Sequence, residues 1–157
     1  MSIEAKFTHT NLVAKNWRRL ARFYKEVFGC IPVPPERDLA GQWLDEATGL
    51  SGAHIRGIHL KLPGHGDTGP TLEIFEYDVE KDPLETAANR PGFGHVAFAV
   101  PDVNAAREAV LAAGGGKVGQ VVSVEVTGAG TITFAYLTDP EGNIIEVQHW
   151  ASTPDVT

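Results

Sequence analysis

Hydrophobic residues follow two different periods along this chain, and the change of period separates helices from strands. Between residues 17 and 28, Trp17, Leu20, Tyr24 and Val27 recur at helical spacing, which predicts an amphipathic helix. A second helix is predicted over 103–113. Elsewhere the pattern is typical of strands, in which successive side chains point to opposite faces of a sheet. The predicted strands are 6–13, 31–33, 54–62, 71–77, 93–100, 118–126, 131–138 and 144–150.

Three prolines interrupt the second of these strands. Pro32, Pro34 and Pro35 have no backbone N–H to donate to a neighbouring strand, so they predict an edge position for this part of the chain. The residues that follow, up to Gly52, are predicted to be irregular, with room for one helical turn. The glycine-rich segment 64–70 predicts a turn between the strands at 54–62 and 71–77.

The two halves of the chain repeat one pattern. A shift of 86 positions superimposes three pairs of residues: His9 on His95, Asn16 on Asp102, and Gly29 on Gly115. Asparagine and aspartate are good N-cap residues, and glycine permits a left-handed exit from a helix. A second shift, of 73 positions, superimposes Glu73 on Glu146. Each half is therefore predicted to begin with strand, cap, helix and glycine, and to end with a strand that carries a glutamate.

Four residues of this repeat, His9, Glu73, His95 and Glu146, are predicted to lie on the inward faces of strands. A buried carboxylate without a partner costs several kcal/mol, so Glu73 and Glu146 must be protonated, paired with a cation or bound to a metal. Taken together, the four residues predict a metal site, whereas any one of them alone would favour an ordinary structural role. The remaining histidines are not favoured as ligands, because of the side of the strand on which they fall or because they lie in a loop. They are His54, His59, His65 and His149.

Composition narrows the function further. The chain has 157 residues, is 43% hydrophobic and carries a formal charge of −7, which suits one domain or two small modules packed together. No stripe of Lys and Arg with interleaved aromatic residues is present, so neither nucleic acid nor an anionic membrane is expected as a partner. A small-molecule substrate is expected instead. The single cysteine, Cys30, excludes an internal disulfide, and without a signal-peptide or membrane-spanning pattern the expected location is cytoplasmic.

The motifs resemble those of the vicinal oxygen chelate superfamily, which contains glyoxalase I, methylmalonyl-CoA epimerase, fosfomycin-modifying enzymes, extradiol dioxygenases and bleomycin-binding proteins. The resemblance covers nearly the whole chain. It is carried by the segments around His9 (7–10), 22–29, around Glu73 (72–74), 94–102 and 139–146. It implies an α+β fold in which two tandem βαβββ modules form a half-open cup around one divalent ion. The modules would span 5–78 and 93–150 of a single domain, joined by a linker at 79–92 and followed by a tail at 151–157.

By position, the resemblance makes His9, Glu73, His95 and Glu146 the metal ligands. Two imidazoles and two carboxylates suit Zn(II), Ni(II), Co(II) or Mn(II) with two further oxygen ligands. The activity implied is that of a lyase or isomerase of the glyoxalase I type, in which a glutamate moves a proton through a metal-bound enediolate of a small oxygenated substrate. Glu146 is the first candidate for that base and Glu73 the second. A homodimer is also expected, with the site formed within one chain or across two.

Two other classes remain open. An extradiol-type dioxygenase would use Fe(II) and oxygen, and a non-catalytic binding or resistance protein would hold a small molecule without turning it over. Anaerobic loss of activity would identify the first, and saturable binding that survives chelation would identify the second. The complete set of two histidines and two glutamates favours redox-neutral chemistry over both.

Overall fold

The computed structural model describes residues 2–152, so most of the predicted tail at 151–157 lies outside the described residues. The chain forms two compact units, residues 1–83 and 84–157. Both are α+β units with an open sheet, as the sequence predicted. No helix of the described part is long and apolar enough to cross a membrane.

The first unit contains a four-stranded sheet in the order β1-β4-β3-β2, with β1 parallel to β4 and the other neighbours antiparallel. The edge position of β2 agrees with the prediction from its prolines. The strand is longer than the predicted 31–33, because β2 continues past a register shift between Val33 and Arg37. The elements are β1 (His9–Val13), α1 (Trp17–Phe28), β2 (Ile31–Ala40), α2 (Gln42–Thr48), β3 (His54–Lys61) and β4 (Thr71–Tyr77).

Helix α1 has the bounds that its period predicted. The Asn16 side chain accepts a hydrogen bond from the backbone N–H of Arg19, and Gly29, at φ 69°, ends the helix in the left-handed conformation. The Glu76 carboxylate accepts from the backbone N–H of Trp17, which ties β4 to the start of the helix. The buried side of α1 covers one face of β3 and β4, where the core side chains are Leu20, Tyr24, Leu60, Leu72 and Ile74.

The second unit contains a five-stranded sheet in the order β5-β9-β8-β6, with β7 also paired to β8. The strand predicted at 118–126 is shorter in the structure, where β7 covers its second half, and a separate two-residue strand, β6, precedes it; both pair with β8. The elements are β5 (Val96–Ala99), α3 (Val103–Ala112), β6 (Gly116–Lys117), β7 (Val122–Val126), β8 (Gly130–Thr138) and β9 (Ile144–Ala151).

The end of α3 differs from the repeat. Asp102 caps its start by accepting from the backbone N–H of Ala105, as expected. The glycine with positive φ after the helix is Gly114, at 93°, and not Gly115. Gly115 instead lies so close to β8 that a Cβ there would be 2.4 Å from the carbonyl oxygen of Thr138. The aligned glycine is therefore required for close packing and not for the helix exit.

The turn before β9 is built around a buried carboxylate. Asp139 accepts hydrogen bonds from the backbone N–H groups of Glu141 and Asn143 and from the Asn143 side chain. Only 2% of Asp139 is exposed, so these bonds replace the water it loses on folding. The turn holds the start of β9 and thereby the register in which Glu146 lies.

Candidate metal centre

Three potential metal ligands of the first unit meet on the sheet face that α1 does not cover. Leu72 and Ile74 of β4 point into the core, so Glu73 between them points to the opposite face. His9 of β1 and His59 of β3 approach it there. One ligand atom from each of the three residues lies within 4.8 Å of the other two.

Both oxygens of the Glu73 carboxylate have partners in the first unit. Its Oε2 lies 2.6 Å from Nε2 of His59. Its Oε1 accepts a hydrogen bond of 2.9 Å from the Asn11 side-chain amide and lies 3.7 Å from Nε2 of His9. The Glu73 side chain is only 13% exposed, so these partners replace most of its contact with water.

The surroundings of His59 favour a neutral ring. Its Nδ1 lies 3.0 Å from the hydroxyl oxygen of Thr71. Burial lowers the pKa of His59 below its usual value, while the Glu73 carboxylate acts in the opposite direction. A neutral imidazole has one donor nitrogen and one acceptor nitrogen, and it is the form that binds metals.

The second unit contains a matching pair. Glu146 is 9% exposed, and its Oε2 lies 2.9 Å from Nε2 of His95. The ring of Tyr136, on β8, lies 5.0 Å from that of His95. His95 was predicted to lie within a strand, but β5 begins one residue later, at Val96. The histidine still reaches Glu146 because β5 pairs in parallel with β9 and starts opposite Ile145, next to Glu146.

The position of His59 beside Glu73 was not predicted. On its own strand, His59 points to the opposite face from His54, but its direction relative to Glu73 depends on how β3 pairs with β4. The signal was available, because the glycine-rich turn joins β3 and β4 as a hairpin. Its register pairs Lys61 with Thr71, and therefore His59 with Glu73.

Two other histidines have structural partners. The ring of His54 lies between two carboxylates, with Nε2 2.5 Å from Asp38 and Nδ1 2.8 Å from Asp78. The hydrogen bond to Asp38 is the main reason why the pKa of His54 is raised. His149 is exposed and its Nδ1 lies 3.1 Å from the Val100 carbonyl oxygen. Neither contact resembles a ligand position.

Cys30 does not offer a thiolate. It is buried at the end of α1, and burial raises the pKa of its thiol to about 11. The neutral thiol predominates at neutral pH, and thiols bind metals and react as nucleophiles in the thiolate form. Nitrogen and carboxylate oxygen are therefore the donors on which a metal site in this chain depends.

The His–Glu pairs fit a divalent ion. Two ligand atoms that each lie about 2.1 Å from one ion, at right angles, are about 3.0 Å apart. The 2.9 Å of His95–Glu146 matches that spacing, and the 3.7 Å of His9–Glu73 is 0.7 Å longer. The 2.6 Å of His59–Glu73 is instead a hydrogen-bond distance. Imidazole nitrogen with carboxylate oxygen is a donor set that suits Zn(II), Ni(II), Co(II) and Mn(II).

Comparison with known proteins agrees with this reading of the fold. The family model of the glyoxalase/bleomycin resistance protein/dioxygenase superfamily matches residues 6–147. A search of curated proteins finds no match.

Several solved structures are similar to the chain. A glyoxalase family protein from Bacillus cereus has a TM-score of 0.79 at 17% identity, with 96% of this chain and 97% of that chain covered. A glyoxalase/bleomycin resistance protein/dioxygenase domain from Frankia has a TM-score of 0.59 at 18% identity, with 95% and 100% covered. A mutant of the fosfomycin resistance protein FosX from Listeria monocytogenes, in complex with Mn(II) and 1S,2S-dihydroxypropylphosphonic acid, has a TM-score of 0.55 at 16% identity, with 98% and 97% covered. At these identities the similarity shows the fold.

Proposed function

The chain belongs to the glyoxalase/bleomycin resistance protein/dioxygenase superfamily, and we propose that it is a metal-dependent lyase or isomerase of the glyoxalase I type. Members of this superfamily are often metal-dependent enzymes and generally bind a divalent ion. The observation that carries the proposal is the repeated pairing of one histidine with one glutamate of low exposure, in each of the two units. The reaction is a proton transfer at a carbon next to a carbonyl group of a small oxygenated substrate.

In this proposal His9, Glu73, His95 and Glu146 hold one divalent ion, Zn(II), Ni(II), Co(II) or Mn(II). The support is the donor chemistry of each pair and, for His95 and Glu146, the spacing of the ligand atoms. When bound, the ion supplies positive charge that stabilises a developing negative charge on a substrate oxygen and so acidifies the adjacent C–H bond.

Glu146 is the proposed base. Its carboxylate takes a proton from the substrate carbon and returns it, and Glu73 is the second candidate for this role. The low exposure of Glu146 limits competition from water for the same oxygen. His95 lies 2.9 Å from Oε2 of Glu146, so it is placed to orient that oxygen. The Tyr136 ring packs beside His95 and limits the positions that the imidazole can adopt.

A dioxygenase remains the second candidate because of one observation. His9, His59 and Glu73 form the donor set of two histidines and one carboxylate that non-haem Fe(II) oxygenases use. The 2.6 Å contact between His59 and Glu73 argues against it, because that distance fits a hydrogen bond better than two ligands on one ion.

Isotope exchange tests the proposed function. The purified protein is incubated in heavy water with a panel of 2-oxo compounds and hemithioacetals, and deuterium at the carbon next to the carbonyl is measured by NMR. We expect incorporation that stops after exhaustive chelation and returns when Zn(II), Ni(II), Co(II) or Mn(II) is added, with no effect of removing oxygen. Turnover that requires oxygen and Fe(II) would replace this proposal with the dioxygenase. Saturable binding that survives chelation, without exchange, would replace it with a binding protein.

We also propose that the chain is one domain of two modules, with residues 79–92 as the linker, and that it forms a homodimer. Strand β2 supports the dimer, because it ends its sheet and has one side without a partner strand among residues 2–83. Light scattering during size-exclusion chromatography is expected to give twice the mass of one chain. The mass of a single chain at all concentrations would contradict this part of the proposal.

A further inference from the structure

We propose that Asn11 and His59 are positioning residues that hold Glu73 in one orientation and make it the permanent carboxylate ligand, while Glu146 remains able to move. The pair is called the Glu73 clamp below. The inference rests on the proposed function, since it concerns the same ion and the same two glutamates. It assigns different roles to these glutamates, one as a fixed ligand and the other as a ligand that can move, although they are equivalent in the sequence repeat.

The clamp contacts both oxygens of one carboxylate. Asn11 donates from its side-chain amide to Oε1 at 2.9 Å, and His59 lies 2.6 Å from Oε2. With one donor on each oxygen, rotation of the carboxylate about its terminal torsion breaks two hydrogen bonds at once. Each oxygen also keeps lone pairs, so a metal can bind Oε1 while the clamp stays in place.

The orientation of the His59 ring follows from its two neighbours. An ionised carboxylate can only accept, so the nitrogen that faces it, Nε2, must be the donor. The other nitrogen, Nδ1, is then the acceptor, and the Thr71 hydroxyl 3.0 Å away donates to it. Outer partners of this kind fix the direction of a metal-binding side chain. Thr71, His59 and Glu73 therefore form a directed chain of hydrogen bonds on one face of β3 and β4.

In the described part of the second unit, residues 84–152, neither clamp residue has a counterpart, although the strands have the same register. Asn11 pairs with Glu73 across β1 and β4, and Ala97 occupies that place opposite Glu146 across β5 and β9. Alanine has no side-chain donor.

The second unit also has a different residue at the position that corresponds to His59. His59 is opposite Glu73 across β3 and β4, whereas Tyr136 is opposite Glu146 across β8 and β9. Within residues 2–152, the side chain that contacts an oxygen of Glu146 is His95. Because His95 is itself a proposed ligand, Glu146 has no holding partner among these residues that is independent of the ion.

Co(II) affinity tests the clamp without using turnover. The affinity of the full chain is measured by competition with a chromophoric chelator, with Co(II) up to millimolar concentrations so that weakened variants also saturate. Four proteins form a cycle: the parent, His59→Ala, Glu73→Ala and the double variant. We expect His59→Ala to lower the affinity of the parent about 10- to 100-fold, as outer partners of metal ligands typically do. In the Glu73→Ala background the same change is expected to cost less than about 2-fold, because the residue through which it acts is gone.

Three further variants complete the test. Asn11→Ala is expected to weaken binding in the same direction, and it keeps the test available if His59→Ala does not fold. His59→Gln, which retains an N–H donor, is expected to recover part of the affinity. His54→Ala is the matched control, because His54 lies on the same strand but on the opposite face, paired with Asp38 and Asp78.

Each other outcome has a definite meaning. If His59→Ala costs as much in the Glu73→Ala background as in the parent, His59 is a ligand and the clamp is wrong. Unchanged affinity in both His59→Ala and Asn11→Ala would also overturn it. A parent protein that binds no Co(II) would contradict both the clamp and the proposed function. Co(II) binding with the expected cycle, but without proton exchange, would contradict the proposed function alone.

Discussion

Replacing Glu146 with glutamine is expected to lower the rate of deuterium incorporation by about 10²- to 10⁴-fold, the range that a positioned acid or base typically contributes. Glutamine keeps the shape of the side chain and one oxygen that can bind a metal, but it cannot take up a proton. The variant is therefore expected to keep much of its metal. The rate is measured by NMR in heavy water, and the metal content by elemental analysis of the same sample.

The companion variant Glu73→Gln assigns the roles of the two glutamates. The Glu73 clamp predicts a smaller loss of exchange for Glu73→Gln than for Glu146→Gln, because a glutamate held by Asn11 and His59 is a poor candidate for leaving the ion. The reverse order would make Glu73 the base. If neither variant affects turnover in air while removal of oxygen stops it, proton transfer is not the reaction.

Removal of His95 is expected to have the second large effect, a loss of metal affinity of more than about 100-fold. Loss of an outer partner alone costs 10- to 100-fold, so loss of a direct ligand should cost more. His95→Ala also leaves Glu146, 9% exposed, without the side chain nearest its Oε2. The measurement is elemental analysis after dialysis, with Zn(II) titration to determine the affinity. His9→Ala is expected to behave in the same way.

The control for this prediction is a histidine on β9, the strand that carries Glu146. His149 of β9 is exposed and alternates in direction with Glu146, so His149→Ala is expected to keep the metal content of the parent. Full metal content in the His95→Ala protein would show that this residue is not a ligand, and the four-residue site would then have to be abandoned. Circular dichroism of both variants separates loss of a ligand from loss of the fold.

Local features of the fold were predicted well because they depend on residues close together in the sequence. Helix α1 and strand β4 have the predicted bounds, 17–28 and 71–77. The caps at Asn16 and Asp102 also form as expected. A cap needs only the side chain of one residue and the N–H group three positions later. Helical period and strand alternation are likewise properties of short segments.

Features that depend on pairing were predicted less well. Strand β2 extends to Ala40, beyond the prolines that were expected to end it, because β3 offers partners on both sides of the register shift. The strand predicted at 118–126 begins only at Val122, where β7 starts to pair with β8, and the separate strand β6 at 116–117 pairs with the other end of β8. In both cases the partner strand determines where pairing begins and ends.

The sequence alone predicted the repeat, helices α1 and α3, the class of fold and the proposed ligands His9, Glu73, His95 and Glu146. Alternation along one strand shows which face a side chain occupies, and together with the repeat and the family resemblance it selected these four residues. It does not show what lies beside that side chain on the next strand. The tertiary structure decided this: it placed His59 and Asn11 on Glu73, and Tyr136 and Ala97 opposite Glu146. Two glutamates that are equivalent in the sequence therefore differ in their surroundings, because cross-strand register depends on how distant segments pair.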